Sequence, residues 1–378
     1  MRVLVLSKRQ YMGKDLLDDA YGRFYELPLE LAERGHEVRA VCASYQPRRE
    51  GVHDRRRAGA QVSWLSKNVS PIAPWSLPGW TRAVEREARH FKPDVIWACS
   101  DSFHAIVGVG IQRRLGIPCV VDLYDNFESY GATAIPGVRP WFRARVRQAA
   151  GVTCVSQALE RYIRSIYGVQ GETTVLENGV SRAFRPLERE ACRRRLGLPL
   201  GAKIIGTAGA IDAHRGIEVL FEAFIQLARR RPELYLLLAG PRAPNVRILS
   251  HERIVHLGRL PLDEVPYVIG AMDVSVICNK RSAFGEFCFP QKLYEVVACE
   301  VPPLVANTSG VADLLARAPR NRYEPESVGS LLHAIEALLA DPVLAPINAV
   351  SWKQHGERLS RFLARVAGAP ALLRTASA

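Results

Sequence analysis

The sequence predicts an α/β protein of two parallel-sheet domains, each sheet covered by helices on both faces. Short apolar runs alternate with amphipathic helical stretches from the first residue onward, and the alternation restarts after a polar join near mid-chain. Strands buried on both faces and separated by helices mark a doubly wound parallel sheet. The length of 378 residues agrees, because a single hydrophobic core stops growing at roughly 250–300 residues.

In the first half, residues 3–6, 38–42, 62–65, 95–98, 119–123 and 152–155 read as strands. Each is largely apolar rather than alternating, as expected of strands without a solvent face. Helical stretches at 24–33 and 81–90 lie between them, and Arg34-Gly35-His36 stops the first helix and launches the second strand. A second series follows at 204–208, 235–238, 254–257, 274–277 and 303–305, with a helix over 217–229. The join shows as Asn178-Gly179-Val180-Ser181 and an Arg-rich stretch at 187–196, so the hinge is expected within 182–200. The domains are then 1–185 and 186–348, with 349–378 as a closing helix and a tail that frays after Gly368. Sheets of this kind bind ligands outside the carboxyl ends of their strands.

Composition excludes several classes. Hydrophobic residues make up 48% and charged residues 24%, a globular balance rather than a disordered one. No stretch approaches the ~18 apolar residues of a membrane span. The opening Met1-Arg2-Val3-Leu4-Val5-Leu6-Ser7 lacks a cleavage-site pattern and reads as a buried strand. The expectation is a cytoplasmic protein, free or peripheral at the inner face of the membrane. Its cysteines (Cys42, Cys99, Cys119, Cys154, Cys192, Cys278, Cys288 and Cys299) include no C-x-x-C pair and have no histidines at metal-site intervals. Free, mostly buried thiols and no metal site are expected.

The net charge of +13 calls for an anionic partner. Its densest segment, Arg139-Pro140-Trp141-Phe142-Arg143-Ala144-Arg145-Val146-Arg147, mixes arginines with aromatics. That composition suits contact with an anionic membrane, and equally a solvated helix face with one buried aromatic pair. No nucleic-acid module signature accompanies it, so nucleic acid is not an expected partner.

Two segments carry chemistry. The run 284–300 contains Phe289-Pro290-Gln291-Lys292-Leu293-Tyr294-Glu295, where Pro290 suits the first turn of a helix. A helix start offers free N–H groups and a positive dipole end to an anion. Lys292 and Glu295 are three apart and share a face, and a lone carboxylate there can accept both hydroxyls of a vicinal diol such as a ribose. The same pair also fits the surface of an ordinary helix. The second segment, Gly206-Thr207-Ala208-Gly209-Ala210-Ile211-Asp212-Ala213-His214-Arg215-Gly216, is a strand, a Gly-containing turn and a helix start. Gly209 lets backbone approach a pyrophosphate, and Arg215 can pair with it. It matches neither the Walker pattern nor G-x-G-x-x-G.

In their order these pieces resemble the retaining glycosyltransferases of family 4, which have the GT-B fold. Gly35-His36-Glu37-Val38, Lys92-Pro93-Asp94-Val95-Ile96, Val155-Ser156, Glu177-Asn178-Gly179-Val180, residues 208–216, Val255-His256-Leu257-Gly258-Arg259-Leu260 and residues 289–299 follow the family order, and Trp352 precedes a final helix. The resemblance implies two Rossmann-like domains facing each other across a cleft, with the last helix crossing back to the amino-terminal domain. It implies transfer of a sugar from a nucleoside-diphosphate sugar to an acceptor hydroxyl, without cofactor or metal. It further implies an acceptor that is a glycan, a glycolipid or lipid-linked glycan, or a small molecule, as in bacterial surface-polysaccharide synthesis. By resemblance, Glu295 holds the donor ribose, Arg215 contacts the diphosphate where a Lys is usual, and Gly209, Pro290 and Lys292 line the nucleotide. Gly22 corresponds to a glycine turn facing the phosphates from the other domain, His104 to an active-site histidine beside the donor sugar, and Asp125 to an acidic residue near the acceptor.

The chain also departs from the family pattern. Phe287 stands eight residues before Glu295, where the family has its first Glu, and Glu286 is the nearest carboxylate. Ala210 replaces a customary Arg, leaving Arg215 or Arg259 for the phosphate charge, and a glycine pair is reduced to Tyr21-Gly22-Arg23. His104 also fits a satisfied core histidine. A nucleotide-sugar 2-epimerase of the same fold and a non-catalytic partner subunit are the rival expectations.

Overall fold

The computed structural model describes residues 1–11, 13–70 and 76–368; the tail expected to fray lies outside them. The chain divides into two compact units, Met1–Asn178 with Trp352–Ala378, and Gly179–Ser351. The division falls ahead of the 182–200 expectation for a simple reason. Val180 pairs with Ser351 and its N–H donates to Val350 O at 2.9 Å, which ties the chain just after Asn178 into the second unit.

The first unit begins with β1 (Arg2–Lys8), a hairpin of β2 (Gln10–Tyr11) and β3 (Lys14–Asp15), and helix α1 (Arg23–Glu33). It continues with β4 (Glu37–Ser44), β5 (Gly51–Arg57), β6 (Ala60–Asn68), α2 (Ser76–Phe91), β7 (Val95–Ala98) and α3 (Ser102–Leu115). Then come β8 (Cys119–Leu123), α4 (Val138–Gln148), β9 (Gly151–Cys154), α5 (Gln157–Tyr162) and β10 (Glu172–Val175). The eight-stranded sheet runs β10-β9-β8-β7-β1-β4-β6-β5. Every neighbouring pair is parallel except β5 with β6. Val3 to Leu6 at its centre are fully buried, as the apolar run dictates. β5, Gly-Val-His-Asp-Arg-Arg-Arg, alternates between half-buried and exposed residues and closes the edge with charge. Its polar composition hid it from an apolar-run reading.

The second unit holds α6 (Arg189–Leu196), β11 (Lys203–Ala208), α7 (Glu218–Ala228), β12 (Leu234–Ala239), β13 (Ile254–His256) and α8 (Val265–Gly270). After these follow β14 (Val274–Ile277), α9 (Gln291–Ala298), β15 (Pro303–Ala306), α10 (Ser309–Leu315), β16 (Arg322–Tyr323) and α11 (Val328–Ala340). The six-stranded sheet runs β13-β12-β11-β14-β15-β16, all parallel. Leu220 and Phe224 of α7 and Leu331 and Ile335 of α11 pack on Ile205, Leu236 and Val274. In both sheets the first strand lies inside, with the chain winding away on either side. That leaves a crevice at the carboxyl end of β1 beside β7, and of β11 beside β14.

The last helix, α12 (Trp352–Val366), belongs to the first unit, as the resemblance implied. Trp352, His355, Leu359, Phe362 and Leu363 form its buried stripe. It approaches α1 so closely that a Cβ on Gly356 would lie 2.4 Å from Glu30 Cβ, and Arg34 Nη2 donates to Lys353 O at 2.6 Å. No helix among the described residues is long and apolar enough to cross a membrane. All the cysteines are unpaired, and all but Cys278 are buried.

Arg23, the first residue of α1, is wholly buried with Asp122 at the end of β8. Its Nε and Nη2 donate to the two carboxylate oxygens at 2.8 and 2.7 Å, and Nη1 donates to Leu176 O and Glu177 O at 2.8 and 3.0 Å. Thr153 donates to the same carboxylate at 2.5 Å. One guanidinium thus fixes the start of α1, the end of β8 and the chain leaving the unit.

Candidate active site

In the second unit, Gly209, Arg215 and Lys292 meet at the carboxyl end of β11. Gly209 follows the strand at φ +122 and donates its N–H to Ala239 O at 2.7 Å. A Cβ there would lie 2.3 Å from Lys292 Cε and 2.9 Å from its Nζ. The bare backbone is therefore what lets Lys292 reach across from α9. Arg215 ends a short 3-10 turn, with its guanidinium 4.5 Å from the Phe284 ring centroid and Nη1 3.6 Å from Cys288 Sγ. Burial, then the positive charge of Arg215, pushes the Lys292 ammonium down to about 8 from 10.5, against weaker support from Cys278 and Glu295. Two cations held together out of full solvent make a place that favours an anion.

α9 starts at Gln291 with Pro290 at its cap in extended conformation, one residue ahead of the first turn in which the sequence placed it. Glu295 is buried, 8% exposed, and accepts from Gln291 Nε2 at 3.1 Å. The Lys292–Glu295 pair is therefore not a surface pair. Glu286 Oε2 accepts the N–H of Ser309 at 3.0 Å and also the Ser309 hydroxyl, at the start of α10. Arg259 is exposed.

In the first unit, Gly22 caps α1 at φ +88, and a Cβ there would lie 2.5 Å from the Tyr11 ring. Tyr11 packs edge-on against Phe24 and Tyr124, at centroid distances of 4.8 and 5.4 Å. Asp125 follows Tyr124 and is buried, with Oδ2 accepting from Tyr130 OH at 2.7 Å. Gly22 and Asp125 are thus joined through one aromatic cluster.

Lys8, at the end of β1, donates to Tyr124 OH at 2.7 Å. Burial lowers its pKa below the ordinary lysine value, opposed by Asp101 and Asp125. Its backbone N–H donates to the hydroxyl of Ser100 at 2.7 Å, and Ser100 itself holds φ +96, a conformation uncommon outside glycine.

His104 is in the first turn of α3, 1% exposed, with Nδ1 2.7 Å from Asp101 Oδ1. Asp101 caps the helix by accepting from the N–H groups of Phe103 and His104, and it accepts from Tyr45 OH at 2.6 Å. Burial opposes its ionisation, yet His104, Tyr45 and Lys8 outweigh burial and hold the carboxyl well below its usual range. His104 Nε2 is buried without a hydrogen-bond partner, and the ring meets Trp80 edge-on at 4.7 Å. It is neither exposed to solvent nor a fully satisfied core histidine. Sequence reasoning missed Lys8, Tyr11, Tyr45, Asp101 and Tyr124. Of these only Lys8, a charge ending an apolar strand, left a local signal.

A family model described as Glycosyltransferase Family 4 matches residues 23–184, and one described as Glycosyl transferases group 1 matches residues 188–358. A D-inositol 3-phosphate glycosyltransferase of Nocardiopsis dassonvillei is 25% identical over 376 residues, covering 88% of this chain and 84% of that protein. Sucrose-phosphate synthase from Thermosynechococcus elongatus shares the fold with a TM-score of 0.73 at 18% identity, over 97% of this chain and 96% of that one. Anabaena HepE, solved in complex with UDP-glucose, does so with a TM-score of 0.65 at 16% identity over 97% of both chains. With one family match on each half, two parallel sheets and a last helix returned to the first unit, the chain is a family-4-type glycosyltransferase of the GT-B fold.

Proposed function

We propose that the enzyme transfers a hexosyl group from a nucleoside-diphosphate sugar to an acceptor hydroxyl with retention of configuration, without a metal. The observation that carries the reading is Lys292 laid over the bare backbone of Gly209, with the Arg215 guanidinium near enough to act on its charge. Such a site fits a diphosphate, whose charge grows as it leaves. In the reaction the bond from the anomeric carbon to the diphosphate oxygen breaks and a bond from that carbon to the acceptor oxygen forms. The acceptor proton passes to the departing diphosphate on the same face. Cations already in place lower the cost of the developing charge. They also supply what Ala210 lacks. Glu295, buried and held by Gln291, accepts from the ribose hydroxyls.

The acceptor is assigned to the first unit, where Lys8, Asp101 and Asp125 surround the ends of β1, β7 and β8. The inositol phosphate glycosyltransferase relative supports a polyhydroxylated acceptor of the glycan or glycolipid class. The test is incubation with a panel of UDP- and GDP-sugars and candidate glycan or glycolipid acceptors, measuring nucleoside diphosphate release and the anomeric configuration of the product. Acceptor-dependent release with a retained anomer supports the reading. Epimerisation of free nucleotide sugar without acceptor would assign the 2-epimerase reaction instead.

A further inference from the structure

One face of the first unit has properties that donor chemistry does not use. In α4, Val138, Phe142 and Val146 are buried, one helical turn apart, and form the inner stripe. The opposite crest carries Pro140, Ala144 and Arg147, with Trp141 beside it, all exposed. Trp141 is 49% exposed and Ile135, just before the helix, 52%. No acidic residue occurs between Glu128 and Glu160, while Arg139, Arg143, Arg145 and Arg147 all do. Arg113 and Arg114 end α3 and add their charge beside Arg145.

Few of these charges are neutralised. Arg143 pairs with Glu128 at 2.5 Å and Arg114 with Glu85 at 3.2 Å. Arg139 and Arg147 have no ion-pair partner among the described residues, and Arg145 Nε is buried without an acceptor. A soluble surface gains nothing by exposing a tryptophan and an isoleucine inside a repelling group of arginines. An anionic surface with an apolar layer beneath it satisfies both features.

We propose that this face docks on an anionic phospholipid bilayer, with Trp141 and Ile135 at headgroup depth and the arginines of α4 and the end of α3 on lipid phosphates. Tryptophan favours that depth, and a basic patch joined to an apolar anchor provides two attachment signals. The surface is independent of the Lys292 site, so its test and the donor test fail separately.

The experiment is flotation of the full chain with phosphatidylcholine vesicles that contain or lack phosphatidylglycerol, at low and high salt. Salt-sensitive binding only to the anionic vesicles is expected. Each arginine near such a surface contributes about fivefold in partitioning, so Arg139→Ala with Arg145→Ala and Arg147→Ala weakens binding by about 100-fold. Quenching of tryptophan fluorescence by brominated phosphatidylglycerol is expected in the wild type and lost in Trp141→Phe, a variant that keeps an aromatic side chain at a half-exposed position. Equal binding to neutral vesicles, unchanged binding by the arginine variant, or quenching that persists in Trp141→Phe overturns the proposal. So does an absence of vesicle binding, and retention on single-stranded RNA in that case would assign the face to a nucleic acid.

Discussion

Lys292 lies across Gly209 so closely that the glycine has no room for a side chain: a Cβ would fall 2.3 Å from Lys292 Cε. The contact joins the turn after β11 to the second residue of α9. It explains how a chain with Ala210 where a basic residue is usual still collects two cations, since the second arrives from the helix rather than the turn.

Gly209→Ala tests that relationship. The φ of +122 is hostile to any Cβ, at a cost of about 1–3 kcal/mol, and the lysine must also swing aside. The expected outcome is a modest loss of stability in denaturant unfolding, with at least about tenfold weaker nucleoside diphosphate binding. Unchanged affinity would mean that Lys292 does not contribute from this position.

The pH dependence of binding follows from Lys292. Its ammonium titrates near 8 instead of 10.5 because of burial and Arg215. A bound diphosphate favours the charged form, so binding takes up a proton once pH exceeds about 8, and affinity falls as pH rises through that value. The loss approaches about tenfold per pH unit if only the charged form binds. Lys292→Arg stays charged throughout, and calorimetry across pH 7 to 10 is expected to show a flat profile for it. Identical profiles for the two proteins would remove Lys292 from the site.

The buried pair of Arg23 and Asp122 gives a stability prediction. Both side chains are fully buried, and the guanidinium also holds Leu176 O and Glu177 O. Asp122→Ala strands that charge and is expected to cost about 3–5 kcal/mol in urea unfolding. Arg23→Leu combined with Asp122→Leu restores part of the loss, because no lone charge is left buried. A cost below about 1 kcal/mol for the single variant would contradict the role assigned to the pair.

The sequence alone made the two sheets legible because their inner strands are continuous apolar runs, Val3 to Leu6 being the plainest case. β5 was not legible, since an edge strand of arginines carries no apolar signal. The donor side was readable as local motifs: Gly209, Arg215, Lys292 and Glu295 sit in two short segments with helix-start chemistry. What lets Lys292 reach the turn after β11, the missing Cβ at Gly209, is a steric relation between residues far apart in the chain. The first unit was less readable for the same reason. Asp125 and Gly22 stand in the sequence as ordinary turn residues, and only packing through Tyr11 and Tyr124 relates them. Glu286 stands in the sequence as the carboxylate nearest to the missing first Glu, and its hydrogen bonds to Ser309 at the start of α10 depend on packing that no local motif displays.

Calorimetric titration of the full chain and of Glu295→Ala with UDP, GDP and the other common nucleoside diphosphates tests the central claim most directly. Saturable binding of at least one nucleoside diphosphate to the wild type is expected. In Glu295→Ala the folded protein should bind at least about tenfold more weakly, as a carboxylate hydrogen bond to the ribose is worth roughly 1.5–3 kcal/mol. Absence of binding by the wild type, or equal binding by the variant, would contradict the account.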